Sequence, residues 1–176
     1  MLRKLFGASA LSEAAESLYT NAVAAARNEV FYAEYGVPDT VDGRFEMISL
    51  HVYVLLRRLK SLGAEGKKLS QNLFDTMFDD IDRTLREMGA GDLGVGRRVK
   101  AMAQAFYGRI AAYDGALADA SPEPLYLALE RNVFRATDDG HAAGTSDGIT
   151  ALASYLRELA QKMDKWRGSP MSFTQV

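Results

Sequence analysis

Apolar residues recur along this chain at spacings of three and four, the period of helices that bury one face. In the first stretch Ala14, Leu18, Ala22, Val23, Ala26 and Val30 share a side, which predicts a helix over about 12–32 with Ser12 as its cap. Tyr35-Gly36-Val37-Pro38 stops it. A second helix is expected over about 40–62, with Phe45, Ile48, Val52, Leu55 and Leu59 as its stripe. Between Met47 and Leu56 it is apolar nearly all round, too short for a membrane span and suited to a buried central helix. A turn at 61–66 leads to a third helix over about 68–88, burying Leu69, Leu73, Met77, Ile81, Leu85 and Met88 and ending at Gly89. The fourth, about 94–117, turns Val99, Met102, Ala103, Phe106, Ile110 and Tyr113 inward. Pro122 and Pro124 open a fifth, about 124–135, with Leu125, Leu129 and Val133 or Phe134 inward. After a Gly- and Asp-rich loop at 138–146, a sixth helix over about 147–166 carries Ile149, Leu152, Tyr155, Leu156, Leu159 and Met163. No strand is expected. The fold class is all-α: a single-domain bundle of about six helices over 11–167, with a short tip at 1–10 and a flexible tail at 168–176.

Composition narrows the function. Lys+Arg number 21 and Asp+Glu 23, mixed along the chain, so there is no basic stripe for nucleic acid. There is no cysteine, which removes disulfides, thiolate metal sites and thiol nucleophiles. Ser12, Glu13 and Glu16 follow Leu5-Phe6 too soon for a secretory signal, so the chain is expected in the cytoplasm. Peripheral contact with a membrane by the basic–apolar tip stays open.

Candidate chemistry is sparse. Gly89-Ala90-Gly91-Asp92-Leu93-Gly94 matches G-x-G-x-x-G, but the dinucleotide motif needs a strand before it, and a helix precedes this one. Asp75, Asp79 and Asp82 share a helix face with Asp80 beside them, which reads as a solvated or partner-facing surface. A di-iron site would need Glu-x-x-His pairs, and none occurs. The two histidines lie apart: His51 in the apolar second helix, as a core residue or a haem ligand, and His141 in the polar loop. No catalytic set, resident cofactor or metal site is expected.

Several runs taken together carry a family resemblance. Phe45 with Leu50-His51-Val52-Tyr53, Arg58-Leu59-Lys60, Met77-Phe78-Asp79-Asp80, Phe106-Tyr107, Tyr113-Asp114, Ala128 to Phe134 and Tyr155-Leu156-Arg157 occur in order over roughly 45–165. In this the chain resembles the ubiquinol–cytochrome c chaperone family, and looks like a compact bacterial member. Glu130 departs from the pattern, standing where relatives usually place Trp. The resemblance implies a non-enzymatic chaperone that binds newly made cytochrome b beside a small partner protein and supports assembly of the cytochrome bc complex; a peripheral place at the cytoplasmic face of the inner membrane stays open. A soluble bundle that shields an apolar client segment needs an exposed apolar groove, which is expected between the second and fourth helices. His51, Tyr53, Arg58, Asp80, Tyr107, Tyr113, Asp114 and Arg131 are the candidate client-binding residues. A haem- or quinone-binding bundle is the alternative.

Overall fold

The most apolar helix stands in the middle. In the computed structural model, which describes residues 8–89, 91–135 and 144–167, this is α3 (Val41–Lys60). From Ser49 to Leu56 it is buried on every side. Around it run α1 (Ala8–Ala26), the short α2 (Glu29–Ala33), α4 (Gly63–Glu87), α5 (Asp92–Ala118), α6 (Glu123–Asn132) and α7 (Ser146–Lys165). α1, α4 and α7 pack on α3, while α6 packs on α5 and α7. The described residues contain no strand, and the all-helical bundle matches the expectation from periodicity.

Local chemistry sets the boundaries. Thr40 Oγ1 accepts from the Gly43 amide at 3.1 Å to start α3, and Thr145 Oγ1 does the same for Gly148 to start α7. Gly89 ends α4 with φ 85°, a conformation an L side chain resists. A Cβ on Gly66 would run into the Leu59 carbonyl, so glycine lets α4 leave α3 at close range.

Four expectations need correction. The first helix is two, because the Asn28 side chain accepts from the Val30 amide at 3.1 Å and caps a new helix, α2. Ser12 is no cap, since α1 already begins at Ala8. Only Ser61 and Leu62 separate α3 from α4, so most of the expected turn at 61–66 is helical. Met88 lies beyond the last residue of α4 and is 62% exposed rather than inward. His141, the tip at 1–7 and the tail at 168–176 lie outside the described residues.

Side-chain pairs give the helix directions. His51 meets Tyr155, and six residues on Arg57 meets Asp164, so α3 and α7 are parallel. Glu46 meets Arg109 and Tyr53 meets Asp114, so α5 is parallel to α3 as well.

Candidate functional site

The eight candidate residues do not gather into one groove. Tyr53, Tyr113 and Asp114 come together where α3 faces α5. Tyr53 is 1% exposed, its ring lies 5.4 Å from that of Tyr113, and its hydroxyl donates to Asp114 Oδ1 at 2.8 Å. Burial first, then the bond to Asp114, push the Tyr53 phenol above its ordinary range. Tyr113 is buried too. The space between α3 and α5, expected as an open groove, is therefore filled by aromatic and charged side chains.

Next to these rings lies a buried ion pair that sequence reasoning missed. Arg109 Nε donates to Glu46 Oε2 at 2.5 Å, and a second guanidinium nitrogen grips the other carboxylate oxygen. The two side chains are 10% and 2% exposed. The guanidinium also sits 5.8 Å from the ring centre of Phe45. Burial pushes the Glu46 carboxyl up, opposed by Arg109. A sequence signal existed: Glu46 shares its helix face with Leu50 and Tyr53, and Arg109 shares one with Phe106 and Tyr113.

His51 faces another way, toward α2 and α7. Its Nδ1 lies 2.7 Å from the Met47 carbonyl, which can only accept, so Nδ1 donates. Nε2 must then accept from the Tyr155 hydroxyl at 2.7 Å. Burial holds the imidazole neutral, with its pKa lowered to about 4. Both nitrogens are engaged inside the protein, so haem ligation would have to break one of these bonds.

Arg58 and Asp80 brace the frame elsewhere. Arg58 Nε donates to the Trp166 carbonyl at 2.8 Å, just past the end of α7. Asp80 on α4 accepts from the Tyr19 hydroxyl of α1 at 2.8 Å and pairs with Arg83.

The outward residues are Tyr107, Asp114 and Arg131. Tyr107 is 58% exposed and stacks on Phe74 with ring centres 5.4 Å apart. Arg131 edges an open cleft of about 370 Å³ between α5 and α6, floored by Ala112, Gly115, Ala116 and Ala128. Leu127, 64% exposed, forms its apolar lip, with Asp119 and Pro124 also lining it. The outer face of α5 continues the cleft through exposed Ala101, Ala105, Gly108 and Ala111. These small residues recur at helical spacing, so the stripe was legible in the sequence, although it was not singled out.

No helix among the described residues is long and apolar enough to cross a membrane. Known proteins resemble the chain over most of its length. The sequence profile of the family described as ubiquinol–cytochrome C chaperone matches residues 33–173. The ubiquinol–cytochrome c reductase complex assembly factor 1 of Xenopus laevis is 27% identical over 92% of this chain and 78% of its own. Its human counterpart is 29% identical over 92% of this chain but only 52% of its own, so the chain spans about half of that relative. The crystal structure of the Cbp3 homolog from Brucella abortus superimposes with a TM-score of 0.77 at 36% identity, covering 90% of this chain and 85% of the other. The chain belongs to the ubiquinol–cytochrome c chaperone family.

Proposed function

We propose that this protein is an assembly chaperone for ubiquinol–cytochrome c reductase, and that its client is newly made cytochrome b, held on the outer face of α5 and the α5–α6 cleft. The observation that carries the reading is the uncovered face of Ala101, Ala105, Gly108, Ala111 and Gly115, broken only by the exposed Gln104 and continuous with the exposed Leu127. Small side chains let a partner helix approach closely, and such stripes recur where apolar helices associate. The helices of a membrane-embedded client expose apolar surface until their partner subunits arrive, and an apolar face on a non-spanning bundle can shield one of them.

Among the candidate residues, Tyr107, Asp114 and Arg131 are proposed to meet the client directly. His51, Tyr53 and Tyr113 support the bundle from within, and Arg58 and Asp80 brace its frame. The reading places the protein at the cytoplasmic face of the inner membrane, with a small partner protein beside it. The family is one of chaperones and not of enzymes, so no catalytic role is assigned.

The test is photocrosslinking in growing cells from positions 105 and 127, followed by purification of the tagged protein and mass spectrometry. Recovery of cytochrome b without an equal amount of mature complex supports the proposal. Stoichiometric recovery of the finished complex would instead make the protein a resident subunit. Crosslinks to no subunit of the complex would remove the client assignment.

A further inference from the structure

Most of this bundle is held by apolar packing, but α5 meets α3 differently. Between them stand Glu46 with Arg109 and Tyr53 with Asp114, pairs that span the gap by hydrogen bonds beside the Tyr53–Tyr113 ring contact. The first pair is buried, with only 10% of the arginine and 2% of the glutamate side chain exposed. Apolar residues of similar volume at two such sites would stabilise a fold as well or better, because desolvating two charges offsets most of their attraction. What a two-point charged grip adds is direction: the planar guanidinium fork accepts a carboxylate in one geometry, and greasy side chains slide.

α5 also needs such a guide. Gly108 weakens it in mid-helix and Gly115 in its last turn, and an added Cβ would meet no atom within 4 Å at either position, so the internal packing does not require them.

We propose that Glu46 and Arg109 are a positioning pair that sets the placement of α5 on α3, and thereby the face α5 shows to its client. The first half stands on the geometry alone; the second rests on the client reading above. Neither residue reaches that face, so the pair acts through the helix.

Hydrogen exchange read by mass spectrometry on the full chain tests this. The variants are Glu46→Met with Arg109→Met, which restores apolar packing, and Arg109→Lys, which keeps the charge but loses the fork. In both, amides over 101–118 are expected to exchange at least about tenfold faster, with α1, α4 and α7 unchanged and the melting temperature nearly kept. Unaltered exchange over 101–118 in folded variants overturns the positioning role. Equal acceleration in every helix also overturns it, because the pair would then be general cohesion.

Crosslinking from position 127 is run on the same variants. Loss of the wild-type cytochrome b crosslink when α5 loosens supports the second half, and its persistence overturns it. If the wild type gives no such crosslink, the client reading fails, while the exchange result still decides the first half.

Discussion

His51 shows how much one buried side chain constrains. The Met47 carbonyl can only accept, so the proton sits on Nδ1, and Tyr155 must donate to Nε2. Protonation would place a charge in the core and reverse the Tyr155 bond. The folded imidazole therefore titrates near 4, below the unfolded value near 6.5. Its stabilising contribution is complete above the unfolded value and is lost as pH falls from there toward the folded one. The expected loss is about 3 kcal/mol, scaled from about 1.4 kcal/mol for each pH unit of separation. Urea unfolding across pH 7 to 4 measures it, and His51→Gln should flatten that part of the curve. An unchanged slope in the variant would assign the pH dependence to carboxylates instead. The same scale separates Tyr113 from Tyr107: both are tyrosines on α5, yet only Tyr107 is largely exposed.

At the scale of elements, the caps and glycines decide where helices begin and how firmly they hold. Thr40 and Thr145 each satisfy an amide that would otherwise be unpaired at a helix start. Replacing either by Ala should cost about 1 kcal/mol, read as a lowered urea midpoint with an unchanged slope. α5 should respond in the opposite sense. Gly115→Ala adds a methyl group into open space and removes the conformational freedom of a glycine in the last turn of α5. A gain of about 0.5–1 kcal/mol is expected. The same methyl intrudes on the cleft that Gly115 lines, so cytochrome b crosslinking should fall while stability rises. A rise in both would show that the small residue is not kept for close approach. Helix content was largely legible in the sequence because periodicity and capping are local signals. The break at Asn28 was missed because the apolar stripe ran through it, and a single side-chain bond to the Val30 amide outweighs one turn of a marginal helix.

For the whole molecule, the surface left uncovered decides where a client can dock. α3 is wrapped by its neighbours and the α3–α5 seam is filled, whereas the outer side of α5 with the α6 cleft is open. Leu127 is the most informative residue there, because it is large, apolar and 64% exposed. Leu127→Asp should leave the unfolding free energy within about 0.5 kcal/mol of wild type, as expected of a surface change. Client recovery in the crosslinking assay should drop several-fold, and full recovery would move the docking face elsewhere. By contrast Leu55→Ala, at a fully buried position of the central helix, should cost about 2–5 kcal/mol in chemical unfolding.

By itself the sequence determined the helical class, the central place of α3, most inward faces and the family pattern. Each of these follows from spacing along the chain, and a 3.6-residue period places side chains on a face whatever lies opposite. Only the tertiary structure decided what each face meets. Glu46 and Arg109 lie 63 residues apart and become partners through packing alone, as do His51 and Tyr155 across 104 residues. Tertiary packing likewise closed the expected α3–α5 groove and left the small residues of α5 uncovered. A sequence specifies which side chains avoid water, while the partners that let a buried polar group remain there are supplied by distant parts of the chain.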